Sequence, residues 1–198
     1  MHALLAALMA TTLQADTTWV HKSVHVAVHD GPNRHIEWEV VVPASVEDVW
    51  RAWTDPAELS TWAGPAAAVD LRVGGDWHIY FDPDAPPGER GGDASAILGF
   101  VPGRELRLAA GAPIEFPTVR RDKTEFIVRL DPVGFGHTRI HAIQTGWKAG
   151  DEWDRAFEAM AFANAEWLSW LHQRFTEGPI DWQKMMLEMP APEDGNGS

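Results

Sequence analysis

The feature that most constrains this chain is a change of period. From Val24 to Thr145 apolar residues recur mainly at every second position; from Asp151 to Phe175 they recur at three and four. Period two is the signature of half-buried strands and period 3.6 that of an amphipathic helix. In the C-terminal stretch Trp153, Phe157, Met160, Trp167, Leu168, Leu171 and Phe175 carry the helical pattern, and Gly178-Pro179 ends it. Such a helix is ~37 Å long, enough to cross a whole sheet. A run of strands followed by one long helix is an α+β arrangement, not a wound parallel sheet.

The strands can be placed one by one. Val24, Val26 and Val28 alternate with His25, Ala27 and His29; Asp30-Gly31-Pro32-Asn33 is turn chemistry; Ile36, Trp38, Val40 and Val42 then alternate with His35, Glu37 and Glu39. These two strands form a hairpin. Ser45 caps a short helix with Val46, Val49, Trp50 and Trp53 on one face, and Asp55-Pro56-Ala57-Glu58 starts a second. Further strands are expected at 69–73, 77–81, 94–101, 106–110, 126–130 and 138–145, with loops at 82–93 and 111–122. Short turns between them make the sheet antiparallel. The expected architecture is a curved sheet of six to seven strands wrapped around the long C-terminal helix, with two short helices after the first core strand. A gap between sheet and helix is where a ligand would sit.

Composition narrows the function. With 198 residues the chain predicts one domain, placed at 18–182. No cysteine is present, which excludes disulfides, thiolate metal sites and cysteine nucleophiles. The net charge of −13 disfavours nucleic acid and anionic membranes. Eleven tryptophans accompany a single tyrosine, which suggests either a large aromatic core or an indole-walled cavity. The apolar run at 3–10 is too short to span a bilayer. Residues 1–15 read as a secretory signal ending at Ala15, so export to the periplasm or medium is expected, with cytoplasmic residence the alternative. Residues 183–198 read as a structureless tail.

The candidate site follows from the architecture. One cavity wall would come from Trp153, Phe157, Met160 and Trp167 on the helix, the other from Trp38, Trp77, Ile79, Phe81, Leu108, Phe126 and Val128 on the sheet. The expected partner is a small apolar molecule; no protein partner is specified. Gln144 and Arg139 are candidate polar anchors, and His78, Tyr80 and His141 the candidate acid–base groups if the cavity is catalytic. His21, His25 and His29 are spaced by four, but on a strand that sets each ~13 Å from the next, so they cannot share a metal. A solvated His/Glu ladder is expected instead, with His25 opposite Glu39 if His29 pairs with His35. A zinc site across the hairpin is the alternative. Asp82, Asp84 and Asp93 occupy a loop that fails the calcium-loop pattern. No phosphate-binding, zinc-protease or nucleophile-elbow motif occurs, so no cofactor, no metal and no catalytic residue is predicted.

The stretch Val41-Val42-Pro43-Ala44-Ser45-Val46-Glu47-Asp48-Val49-Trp50-Arg51-Ala52-Trp53-Thr54-Asp55-Pro56 resembles the opening of the SRPBCC superfamily, the START-like helix-grip proteins. Arg72-Val73-Gly74-Gly75-Asp76-Trp77, Thr145-Gly146-Trp147, Glu152-Trp153-Asp154 and Gly178-Pro179-Ile180-Asp181-Trp182 are similar to the branch related to the activator of heat-shock-protein-90 ATPase. The resemblance spans about residues 35–182. It implies the helix-grip fold and the binding of an apolar or amphipathic molecule between helix and sheet. It leaves a polyketide cyclase or hydrolase activity and a co-chaperone-like interaction module as alternatives. It carries no catalytic residues across, and the strand before residue 30 lies outside its pattern.

Overall fold

The computed structural model describes residues 16–188; the expected signal segment lies outside them. Seven strands form one antiparallel sheet in the order β1-β2-β3-β10-β9-β8-β7. They are β1 (Thr17–His21), β2 (Val24–His29), β3 (His35–Val42), β7 (Ala96–Val101), β8 (Glu105–Ala110), β9 (Thr124–Pro132) and β10 (Thr138–Thr145). A second sheet holds β4 (Ala66–Val69), β5 (Trp77–Tyr80) and β6 (Gly91–Gly92), and the bridge Asp76↔Ala96 joins it to β7. The helices are α1 (Val46–Thr54), α2 (Pro56–Leu59), α3 (Pro117–Asp122), the long α4 (Asp151–Thr176) and α5 (Trp182–Glu188). Among the described residues no helix is long and apolar enough to cross a membrane. The arrangement is the expected helix-grip.

Period two sorts the side chains of the large sheet. Val24, Val26, Val28, Ile36, Trp38, Val40, Ile140 and Ala142 face α4 and are at most 2% exposed. The intervening His, Glu and Arg residues face solvent. The hairpin register is the expected one, with His25 opposite Glu39 and His29 opposite His35. Local chemistry sets the two short helices. The Ser45 hydroxyl accepts from the Asp48 amide at 3.1 Å, and the Asp55 carboxylate accepts from the Ala57 and Glu58 amides at 2.8 and 3.1 Å.

Four elements differ from the sequence reading. The strand expected at 69–73 lies earlier, at Ala66–Val69, because the Asp70 amide bonds the Asp76 carbonyl and folds 70–75 into a turn; Leu71 and Val73 are exposed. The strand before residue 30 is a hairpin, broken at Lys22, whose φ is 52°. The loop 111–122 contains α3: its first amides are capped by Glu152, far away on α4, at 2.6 and 3.0 Å. Nothing local announces such a cap. The tail does not begin at 183, since 183–188 belong to α5. The Trp182 indole donates to the Ser60 carbonyl at 2.7 Å and the Ile180 amide to Thr61 at 2.9 Å, anchoring that helix. Residues 189–198 lie outside the described residues.

The loop 82–93 is tied down by an ion pair. Arg120 on α3 donates to Asp93 Oδ1 at 2.7 Å and to the carbonyls of Gly88 and Ala112, both at 2.7 Å. Both side chains are largely buried, 15% and 5% exposed. Burial alone would raise the Asp93 pKa; hydrogen bonds from the Gly88 amide, Arg120 and the Arg90 amide outweigh it and hold the carboxyl below its ordinary value. Arg120→Ala strands a buried carboxylate and is expected to destabilise the fold by about 3 kcal/mol, measured by urea denaturation at neutral pH.

Candidate functional site

Between the middle of α4 and the sheets lies a cleft of about 180 Å³. An apolar cavity of ~150 Å³ holds a benzene-sized molecule, so this one has room for at least one ring. Its walls come from both sheets and the long helix. β5 and the segment after it contribute Trp77, Ile79 and Phe81; β8 and β9 contribute Leu108 and Phe126; α4 contributes Ala159, Met160, Phe162, Ala163, Trp167 and Trp170.

Seven of the eleven wall residues expected from sequence therefore line one cleft: Trp77, Ile79, Phe81, Leu108, Phe126, Met160 and Trp167. The other four sit beside it in filled core. Trp38 is fully buried, packs on Phe126 at 5.8 Å, and its indole donates to the Ala161 carbonyl at 3.0 Å. Val128 is buried. Trp153 lies edge-on to Trp147 at 6.3 Å, beneath the Lys148 ammonium. Phe157 is covered by the Arg34 guanidinium at 4.0 Å.

The residues that sequence reasoning missed are mostly small. Ala159 and Ala163 lie on α4 four apart, in step with Trp167 and Trp170. Where the pattern of large apolar residues lapses to alanine, the helix surface recedes and leaves space. Gly91 and Gly92 work the same way from the sheet. A Cβ on Gly92 would lie 2.4 Å from Ile79 Cγ1, and one on Gly91, whose φ is +114°, would lie 2.6 Å from Phe81 Cδ2. Only glycine lets β6 pair with β5 while those two side chains keep their places.

A narrow polar ridge crosses the cleft. Asn164 Nδ2 donates to Gln144 Oε1 at 3.0 Å, and Gln144 Nε2 donates to Thr124 Oγ1 at 2.8 Å. Gln144 is thus in the cleft, as a polar anchor would be. Arg139 is not: it lies on the opposite face near Asp131, at 3.2 Å. Among the described residues the remaining polar groups lining the cleft are Ser95, Glu158 and Glu166, with no lysine, arginine or histidine. Glu166 accepts from His21 at 2.6 Å, Lys22 at 2.7 Å and the Trp170 indole at 3.0 Å. Burial pushes its pKa up, but these three partners more than offset that, and the net direction is down.

The candidate acid–base groups do not converge. His141 bonds Glu37 on the outer face of the sheet at 2.9 Å. His78 and Tyr80 alternate with the cleft-lining Trp77 and Ile79, and neither lines the cleft. Asp82 and Asp84 sit in an exposed turn, and Asp93 is taken by Arg120.

The family model described as Activator of Hsp90 ATPase homolog 1-like protein matches residues 43–175. No curated protein matches the chain. Solved structures share the fold at low identity. Protein MLL2253 from Mesorhizobium loti is 20% identical, with a TM-score of 0.57 over 71% of this chain and 95% of that one. CalU16 from Micromonospora echinospora is 20% identical, with a TM-score of 0.52 over 88% and 90%. The Aha1 dimer from Colwellia psychrerythraea is 18% identical, with a TM-score of 0.54 over 73% and 97%.

The ion pairs of Glu166 give a pH signature. Its folded-state pKa lies below the ordinary value, so its contribution to stability is complete above that value and is lost as pH falls through the folded-state one. Glu166→Gln is expected to flatten the acid limb of the stability profile between about pH 5 and 3, read as Tm against pH.

Proposed function

Because the chain belongs to the family of Activator of Hsp90 ATPase homolog 1-like proteins, we propose that it binds a small, neutral, apolar molecule in the cleft between the long helix and the sheet. The observation that carries this reading is the lining: aromatic and aliphatic walls crossed by one amide ridge, with no cation. Burying apolar ligand surface contributes ~25 cal/mol per Å² before ordering costs, so the walls supply affinity. The Asn164–Gln144 ridge supplies orientation. Asn164 spends one N–H on Gln144 and has capacity left for a ligand carbonyl or hydroxyl. The lining carries the carboxylates Glu158 and Glu166, the second already paired with Lys22, and offers a ligand carboxylate no cationic lining residue, which favours neutral ligands over fatty acids.

The family description favours a second reading, a co-chaperone-like module that docks on an Hsp90 partner. Docking and ligand binding are separable by experiment, since only the latter depends on the cleft. The cyclase or hydrolase alternative has less support, as its candidate acid–base side chains lie away from the cleft.

Native mass spectrometry of the purified protein is expected to reveal a co-purified apolar molecule, and titration with the neutral dye N-phenyl-1-naphthylamine to give saturable fluorescence. Ala163→Phe fills the cleft from the helix side and is expected to weaken dye binding at least ~10-fold, with helix content unchanged by circular dichroism. Trp77→Ala removes a wall and is also expected to weaken it. Unchanged affinity in both variants would overturn the reading.

A further inference from the structure

The outer face of the large sheet carries a cluster that the cleft does not use. His29 on β2 and His35 and Glu37 on β3 each offer a ligand atom, and the three atoms lie within 4.8 Å of one another. The two imidazoles stack nearly parallel, 4.3 Å apart with 13° between planes. All three side chains are between 27% and 39% exposed, open enough for an ion to enter and ordered enough to hold it.

Hydrogen bonding fixes what His35 presents. Its Nδ1 lies 2.7 Å from the Asn33 carbonyl, which can only accept, so Nδ1 carries the hydrogen. In the neutral imidazole the lone pair is then on Nε2, and Nε2 faces Glu37 Oε1 at 3.2 Å. Two lone pairs do not hold each other at that distance. A metal ion set between them would take both lone pairs. The other carboxylate oxygen, Oε2, is occupied by His141 Nε2 at 2.9 Å, which turns Oε1 towards the imidazoles. A backbone carbonyl behind a histidine and an imidazole behind a carboxylate are the outer partners that orient metal ligands.

We infer that His29, His35 and Glu37 form a binding site for a late first-row divalent cation, with Zn²⁺ as its reference ion. Two imidazole nitrogens and one carboxylate oxygen select zinc-like ions over Mg²⁺ or Ca²⁺, which take all-oxygen sets. Ligand atoms around tetrahedral Zn²⁺ are ~3.3 Å apart, and small rotations of these exposed side chains bring the cluster to that spacing. Three protein ligands leave one position for water. The net charge of −13 favours cation capture. The site lies on the opposite side of the sheet from the cleft, because Ile36 and Trp38 point inward where His35 and Glu37 point outward.

Isothermal titration of chelator-treated full-length protein with Zn²⁺ is expected to show one saturable site. Co²⁺ is expected to give visible d–d absorption that Zn²⁺ displaces. His35→Ala and Glu37→Gln should each weaken Zn²⁺ binding at least ~10-fold, and His141→Ala about 10-fold through loss of carboxylate orientation. His137→Ala, a histidine on the β9–β10 turn, should leave it unchanged. Circular dichroism checks that each variant folds. No saturable binding, or Zn²⁺ affinity retained in both His35→Ala and Glu37→Gln, would overturn the site and leave a solvated His/Glu ladder.

Discussion

The structure depends on indole N–H groups donating to backbone carbonyls of distant elements. Trp38 reaches Ala161 from β3 to α4; Trp62 reaches Ala52 at 2.8 Å, from just after α2 back to α1; Trp77 reaches Trp53 at 2.8 Å, from β5 to the same helix; Trp167 reaches Ala63 at 3.1 Å, from α4 to the turn after α2. Each contact does two things. It buries a large apolar ring, and it satisfies the one polar atom that would otherwise make that burial costly. The two short helices, the small sheet and the long helix are thereby fastened to one another at points that hydrophobic packing alone would leave free to slide. Six of the eleven tryptophans, Trp38, Trp62, Trp77, Trp147, Trp167 and Trp182, donate to a backbone carbonyl.

The same tethers keep the cleft open. Trp53 lies 4.9 Å from Trp62 and 5.5 Å from Trp167, edge to face, and 5.9 Å from Trp77 in a stack. Trp53 is held by rings on several sides, while Trp62, Trp77 and Trp167 around it are also fixed at their nitrogens. The walls therefore stand where their hydrogen bonds put them. The room between them comes from what is small: Ala159 and Ala163 on the helix, Gly91 and Gly92 on the short strand. A polar ridge in such a place must be internally satisfied or it destabilises the fold. Gln144 meets that condition by donating to Thr124 and accepting from Asn164, which places amide chemistry inside an apolar space with little left unpaired.

Much of this could be read from the residues. The alternation of Val24 to Val42 predicts both the inward face and the pairing of His29 with His35, because period two leaves no freedom once the turn at 30–33 is placed. The long helix and the caps at Ser45 and Asp55 are equally local. What escaped reading is non-local. The α3 helix is capped by Glu152 from another element, the strand at 66–69 depends on a turn closed by Asp70, and α5 depends on Trp182 finding Ser60. The cleft was legible in its large residues and not in its small ones. Apolar periodicity identifies what fills space, and a cavity is made by what does not. Trp38, Val128, Trp153 and Phe157 have the same pattern as the true lining residues, and only their packing partners separate them.

A sheet of alternating residues has two chemistries that cannot mix. On the inner face of β2, β3 and β10, aliphatic side chains pack on α4. On the outer face, one row runs His25, Glu39, His141, Arg129, Glu105 across five strands. Charges of both signs side by side there are satisfied pairwise, for example Arg129 to Glu105 at 2.9 Å. Surface pairs of this kind add little to stability individually. Their effect is to orient one another. Glu37 stands between His35 and His141 and so has both oxygens directed, a degree of order that an isolated surface carboxylate lacks. The rigid backing comes from the inner face, where Ile36 and Trp38 are immobilised against the long helix. The outer cluster is therefore only as well placed as the core beneath it, and the indole tethers that hold the cleft open from one side also hold the His/Glu face in register on the other.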